Sequence, residues 1–121
     1  MTFYKVVSNI NNKLISVMRV GGKYSVEYKL GKVVYPNDPN SKLFVFNSLE
    51  CAAAYVYDHN GGEIYECEVE NPYKCTQSIC VWHWVDSVYS YYWEKAKYIG
   101  FCEAPNGTYL CDSVKLIKKI T

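Results

Sequence analysis

The sequence predicts a single α+β domain over residues 1–121, built from a mainly antiparallel sheet, either continuous or split, and two helices. Three observations support this prediction. The chain has 121 residues, half of them apolar, which is enough for one core that needs neither a metal nor a disulfide. Short apolar runs are separated by turn residues, as in antiparallel sheets. Two further segments begin with the capping residues that are typical of helices.

The first three apolar runs, residues 3–8, 13–20 and 23–30, predict a three-stranded antiparallel meander. Turn-forming residues 9–12 separate the first two runs, and Gly21-Gly22 can supply the positive φ of a tight hairpin before the third. The third run alternates between apolar and polar residues, so one of its faces is expected to be buried. The residues of that face are Tyr24, Val26, Tyr28 and Leu30.

A short run that ends at Tyr35 is typical of an edge strand. The loop that follows contains Pro36 and Pro39, which exclude regular structure because proline fixes φ and lacks a backbone N–H. We therefore expect the first part of the chain to end here and a new unit to begin.

Residues 42–70 predict that unit as a strand, a capped helix, a glycine turn and a second strand. Residues 43–46 form the first strand, and Asn47 is the expected N-cap, with Glu50 completing a capping box. The helix is expected to stop at Asn60-Gly61-Gly62. The second strand places apolar side chains on one face and acidic ones on the other: Tyr65, Cys67 and Val69, against Glu66, Glu68 and Glu70.

The C-terminal part predicts another strand and the second helix. Residues 73–77 are expected to be a loop, and residues 78–84 a strand. Asp86 or Ser87 is the expected cap of a helix that covers roughly residues 88–97.

The last stretch predicts a hairpin between residues 98–103 and 108–120 that turns at residues 104–107. A two-residue turn at Asn106-Gly107 would place Cys102 opposite Cys111. The start of the chain does not resemble a signal peptide, so we expect the six cysteines to be buried thiols, with disulfides as the alternative in a thermophilic host.

Charge and hydropathy bear on the class of partner. A net charge of +1 and a pI near 7.5 provide no long-range field of the kind that attracts nucleic acid or anionic membranes. No window approaches the roughly 18 apolar residues of a membrane span. We therefore expect a soluble intracellular protein whose partner is a protein, with a second copy of the chain as an alternative partner.

No complete catalytic or metal site is evident, so we predict no metal, no cofactor and, on balance, no enzymatic activity. The acidic row at residues 66, 68 and 70 is interpreted as a solvated face whose negative charges are balanced by Lys115, Lys118 or Lys119 on a neighbouring strand. Cys75, Cys80 and His83 lack the spacing of a zinc knuckle.

The surplus of aromatic residues predicts a binding surface. Thirteen tyrosines and three tryptophans exceed the needs of a small core, and such side chains are enriched in protein interfaces. Adjacent aromatic residues near position 92 cannot all face inward on one helix, so at least one is expected to be exposed, either in an interface or in an amphipathic rim. The predicted partner-binding residues are Trp82, Trp84, Tyr89, Tyr91, Tyr92 and Trp93.

Four segments together resemble a loose group of small proteins of phages and archaeal viruses: YKVVS, LFVFNSLECAAAYV, IYECEVENP and APNGTYLCDSVKLIKKI. This resemblance implies a viral accessory protein that acts by stoichiometric binding to a host protein in the cytoplasm of the host cell. A defence enzyme is the favoured target, in the manner of an anti-CRISPR protein. A minor virion or structural protein is a further alternative.

The order of elements also resembles the ADP-ribosyltransferase fold. That resemblance places Ser48 at the position of the family's Ser-Thr-Ser motif, Glu103 at the catalytic glutamate and Arg19 at the NAD-clamping arginine. The chain departs from the pattern because Phe101 replaces the first glutamate of the family's Glu-x-Glu and only one serine remains. The resemblance thus implies, as the alternative function, a reduced ADP-ribosyltransferase or an NAD- or nucleotide-binding protein.

Overall fold

The computed structural model describes residues 2–16, 25–37, 41–58, 61–75 and 106–121. This part of the chain contains one helix, whereas the second predicted helix, roughly residues 88–97, lies outside it. The elements are β1 (Phe3–Ile10), β2 (Lys13–Ser16), β3 (Glu27–Tyr28), β4 (Val33–Val34), β5 (Leu43–Phe46), α1 (Leu49–Asp58), β6 (Glu63–Glu70), β7 (Tyr73–Lys74), β8 (Thr108–Cys111) and β9 (Ser113–Lys119).

The described strands form one sheet, and every pairing recorded in it is antiparallel. The main path runs β4-β9-β6-β1-β5-β8-β7, and β2 joins β1 to β3 beside that path. The prediction of a mainly antiparallel sheet is therefore confirmed.

The N-terminal meander is confirmed by the pairing of β2 with both β1 and β3. Ile10 pairs with Lys13, so Asn11 and Asn12 form a two-residue turn, and their φ angles of 53° and 66° are those of a type I′ hairpin. Asparagine tolerates this left-handed conformation better than most residues do, which explains the local sequence.

The sheet forks at β1. Tyr4 pairs with Glu66 of β6 on one side and with Phe46 of β5 on the other. Val7 pairs with Glu63 of β6 and, on the opposite side, with Ser16 of β2. The strands β5 and β2 therefore share the edge of β1 that faces away from β6.

The sheet also curls. The path β3-β2-β1-β6-β9-β4 would span about 24 Å if it were flat, at about 4.8 Å per strand. Its two ends are joined by a tight turn in which the Lys32 N–H donates to the Lys29 carbonyl at 3.1 Å, with Gly31 at a φ of 79°. Such a turn spans less than about 7 Å, so the ends of the sheet must approach each other.

Curling defines an inner and an outer face. The inner face packs one cluster of buried residues: Phe3, Val7, Val26, Tyr28, Leu43, Val45, Tyr65, Cys67, Cys111, Val114 and Leu116. The outer face carries a smaller cluster under α1: Val6, Phe46, Ala52, Tyr55 and Ile64. In β6 the alternation of burial confirms the predicted division between apolar and acidic faces.

Ser48, and not the predicted Asn47, caps α1. Its hydroxyl accepts the backbone N–H of Cys51 at 3.1 Å, and its carbonyl accepts the first helical bond from Ala52. The Asn47 N–H instead donates to the carbonyl of Gly107 at 3.0 Å. The capping box predicted with Glu50 is therefore wrong by one residue, because Asn47 is still paired with the turn that precedes β8.

The acidic row of β6 faces lysines of β9, as predicted. Glu66 pairs in register with Lys118 and Glu68 with Lys115, and a bulge between these pairs leaves Ile117 without an opposing residue. The closest approach of a β6 carboxylate to a β9 ammonium is 3.6 Å, from Glu63 to Lys119.

The predicted closing hairpin is wrong with respect to β8. This strand pairs with β5 on one edge and with β7 on the other, so both of its edges are occupied. The strand β7 itself falls in a segment predicted to be a loop. Asp112 interrupts the predicted strand over residues 108–120 and accepts hydrogen bonds from Lys42 and Asn71. Cys102, predicted to face Cys111, lies outside the described residues.

Candidate functional site

Most residues predicted to act in a site lie outside the described part of the chain. They are Arg19, Trp82, Trp84, Tyr89, Tyr91, Tyr92, Trp93 and Glu103. Ser48 is described, and its hydroxyl is engaged as the cap of α1. The helix cap therefore accounts for this serine without a nucleotide.

Of the described cysteines, Cys51, Cys67 and Cys111 are free thiols. Burial raises the pKa of Cys67 to about 12 and that of Cys111 to about 11, and the nearby Lys5 ammonium offsets only part of this effect. Such thiols are almost entirely protonated near neutral pH, so they serve as small apolar side chains and not as nucleophiles. Within the described ranges, no group of three or more metal-ligating residues is assembled.

Two polar groups lie inside the curled sheet: the burial of Tyr28 was predicted from the sequence, whereas that of Lys5 was missed. Lys5 is 7% exposed, and its Nζ donates to the Phe44 carbonyl at 2.7 Å, at the point where β1 and β5 diverge. Its Nζ also lies 5.2 Å from the centre of the Tyr28 ring. The buried Tyr28 hydroxyl has no hydrogen-bond partner among the described residues. Lys5 alternates with buried Phe3 and Val7, and this period of two was the available signal.

A depression of about 700 Å³ lies where β1 begins beside β6. We name it the β1 cleft. The residues that line it include Phe3 and Tyr109, whose rings meet edge to face with centres 5.4 Å apart and an angle of 61°. The described residues that line it are Thr2, Phe3, Glu66, Cys67, Glu68, Val69, Pro72, Tyr109 and Ile117. A volume of this size is typical of a site that holds a ligand or a partner's side chain.

Two residues of the acidic row are among those that line the β1 cleft. Glu66 and Glu68 line it, and the described lining contains no cationic side chain. Glu70, the third member of the acidic row, accepts a hydrogen bond of 2.6 Å from Ser113 and does not line the cleft. Along β6 the side chains of Glu66 and Glu68 alternate with those of Cys67 and Val69, so they leave the sheet on the face opposite to Phe3.

A second surface feature lies where the two ends of the curled sheet, β3 and β4, approach each other, and we call this place the seam. Leu30 and Tyr35 are each 60% exposed and Val33 is 41% exposed, all within six residues of chain. We name these three residues the seam patch. The prediction that Leu30 is buried together with Tyr28 is wrong, because the turn over residues 29–32 directs Leu30 outward.

Comparison with protein-family models, curated proteins and solved structures finds no match to this chain. In the ranges that the structure describes, no helix is long and apolar enough to cross a membrane.

Proposed function

We propose that the protein is a small viral or phage accessory protein that binds a host protein stoichiometrically in the host cytoplasm, with a defence enzyme as the favoured target. The observation that carries the binding function is the seam patch, in which three large apolar side chains close together in sequence are exposed. The viral context and the cytoplasmic location come from the resemblance of the sequence.

Exposed apolar groups of this kind favour association because binding removes their apolar surface from water. Complete burial of one such side chain stabilises an interface by roughly 1.5–3 kcal/mol. The seam patch alone is smaller than a standard interface, so we expect it to act as an anchor within a larger contact. The aromatic residues between Trp82 and Trp93 remain our predicted extension of that contact.

The rival function, a reduced ADP-ribosyltransferase or NAD-binding protein, has weaker support. Ser48 has a structural role as the helix cap. A minor virion protein could use the seam patch against another viral protein. Incubation with labelled NAD and host lysate tests the enzyme, since label transfer that Glu103→Ala abolishes would replace the binding proposal.

The main experiment places a photo-crosslinking benzoylphenylalanine at Tyr35 and, as the matched control, at Tyr57. Tyr57 is an aromatic residue of α1 and is 84% exposed, more than Tyr35. We expect a host protein to crosslink from position 35 and not from position 57. The captured protein is then purified, and its complex with the chain is sized by light scattering, where a fixed stoichiometry is expected.

The double variant Val33→Ser with Tyr35→Ser should weaken that purified complex by about tenfold or more, because two apolar side chains no longer become buried. Tyr57→Ser should leave the affinity unchanged. Equal crosslinking from both positions, or unchanged affinity of the double variant, contradicts the proposal.

A further inference from the structure

We infer that the seam patch binds a segment of the partner protein in which carboxylate side chains flank apolar ones. This inference rests on the proposed function, because it supplies the chemistry of the partner at the same surface. It is carried by four lysines that lie beside the seam patch and form no ion pair with the described residues: Lys13, Lys29, Lys32 and Lys115.

Two of these lysines lie in the turn that carries Leu30. Lys29 and Lys32 are the first and last residues of this turn, so their Cα atoms lie within about 7 Å of each other, with Leu30 between them in the chain. Both lysines are exposed. The Gly31 N–H donates to the Leu116 carbonyl of β9 at 2.8 Å, which fixes the turn on the sheet. The turn therefore presents an exposed leucine and two cations in a conformation that is set before a partner binds.

The other two lysines lie on the neighbouring strands. Lys115 of β9 is the register partner of Val33, and residues directly opposite each other in an antiparallel pair share a face. The register of β2 with β3, continued by one residue beyond Tyr28, places Lys13 next to Lys29. The fold thus brings together cations from three separate parts of the chain.

Few carboxylates offset this charge. Residues 28–37 contain no aspartate or glutamate. Two carboxylates lie close by, since Glu27 precedes the turn and Glu68 is the register partner of Lys115 on β6. Neither forms an ion pair with the described residues. Among the described residues at the seam, four cations and two carboxylates leave an excess of positive charge, which favours a partner's carboxylates at short range.

The observations favour a protein segment over a membrane or a nucleic acid. The seam patch has only three apolar side chains, and the net charge of +1 provides no long-range attraction to anionic lipids or phosphates. Burial of the apolar side chains would supply most of the affinity, whereas charges at the margin set the association rate and the choice of partner. Lysine ammonium groups are strongly hydrated, so we expect their contacts to be exposed to water and to weaken in salt.

The test is a titration of the full chain with the capped peptide Gly-Asp-Leu-Phe-Asp-Gly, followed by amide NMR shifts. Its control carries asparagine in place of both aspartates, which keeps the shape and removes the charge. We expect saturable shifts at Leu30, Lys32 and Val33 with the acidic peptide and about fivefold weaker binding of the asparagine peptide. Raising the salt from low to physiological concentration should weaken binding of the acidic peptide only.

Matched variants assign the effect to the seam. Lys29→Gln combined with Lys32→Gln should weaken the acidic peptide about fivefold and leave the asparagine peptide unchanged. Lys74→Gln, which removes an exposed lysine of β7, should change neither. Val33→Ser with Tyr35→Ser should weaken both peptides, because apolar surface is lost. Native-like amide spectra of each variant establish that it is folded.

A sedimentation assay with vesicles of phosphatidylcholine and phosphatidylserine tests the membrane as the occupant. We expect no binding of the chain to these vesicles at physiological salt, because so small a patch on a nearly neutral protein lacks the charge to hold an anionic surface.

The inference is overturned if the wild-type chain shows no saturable shift, if the asparagine peptide binds as well as the acidic one, if Lys74→Gln weakens binding as much as the double lysine variant, or if the chain binds the vesicles. These outcomes are separate from those of the crosslinking experiment. Failure of the acidic peptide together with selective crosslinking from Tyr35 removes the preference for carboxylates and leaves the proposed function standing. Binding of the acidic peptide without crosslinking from Tyr35 supports the inference and contradicts the proposed host partner.

Discussion

The two faces of the curled sheet differ in how they are buried. The inner face packs eleven buried residues from six strands and the adjoining loop into one cluster, whereas the outer face and α1 bury five residues between them, three from the sheet and two from the helix. Beyond that helix, the outer face exposes the acidic row of β6 and the lysines of β9. The difference separates the side chains that stabilise the fold, which lie inside, from those of the proposed binding surface, which lie at the seam.

The largest expected effect compares a buried residue of β9 with its exposed neighbour. Leu116 is fully buried in the inner cluster, whereas Ile117 sits at the bulge and is 37% exposed. Leu116→Ala should lower the free energy of unfolding by about 2–5 kcal/mol because it leaves a cavity. Ile117→Ala should cost less than about 1 kcal/mol. Urea unfolding measures both, and similar losses would show that the outer face is packed as tightly as the inner one.

A second comparison uses two glycines with nearly the same backbone conformation. Gly31 and Gly107 have φ angles of 79° and 80°. A Cβ on Gly31 would meet nothing within 4 Å, whereas on Gly107 it would lie 2.7 Å from Asn47 Oδ1 and 2.8 Å from Cys51 Sγ. Gly31→Ala should therefore cost about 1–2 kcal/mol, from the left-handed backbone alone.

Gly107→Ala should cost clearly more than Gly31→Ala, because the start of α1 must also move away from the turn before β8. Thermal and urea unfolding of the two variants measure the difference. Equal losses would indicate that the contact between this turn and the helix relaxes freely, and would weaken the view that the outer face is tightly packed beneath α1.

The third comparison isolates the cap of α1, the helix that covers the outer face. Ser48→Ala should lower the free energy of unfolding by about 1 kcal/mol, since the Cys51 N–H loses its acceptor, and Ser48→Asp should restore most of it. Ser48→Ala should leave crosslinking from Tyr35 unchanged. A variant of normal stability would contradict the capping role and would reopen the nucleotide-binding interpretation of this serine.

Local patterns predicted much of the fold. The alternation in β6, the asparagine turn after β1 and the glycine end of α1, where the Gly61 N–H donates to the Val56 carbonyl, could all be anticipated. Each depends on side-chain periodicity or on backbone conformations that few residues tolerate.

Long-range pairing could not be predicted in the same way. The insertion of β8 between β5 and β7 depends on which strand edges are free, and a local turn signal does not contain that information. The β1 cleft likewise arises where β1 begins beside the longer β6, so its residues come from distant positions in the chain. Glu66 and Glu68 were noticed in the sequence, but their neighbours Phe3 and Tyr109 gave no signal.

The smallest expected effect concerns Asp112, which lies between β8 and β9 and accepts a hydrogen bond from Lys42, the residue before β5. Hydrogen bonds from Lys42 and then Asn71 hold the pKa of Asp112 below its ordinary value of 3.8. A carboxyl whose pKa is lowered by folding contributes stability above its unfolded pKa, and this contribution is lost as the pH falls through the folded value. The melting temperature should therefore fall below about pH 4 more steeply in the wild type than in Asp112→Asn. Because the Asp112 side chain is 35% exposed, the difference should be small and should shrink in high salt. If the melting temperatures of the two proteins change with pH in parallel, the hydrogen bonds of Asp112 contribute nothing to the stability of the fold.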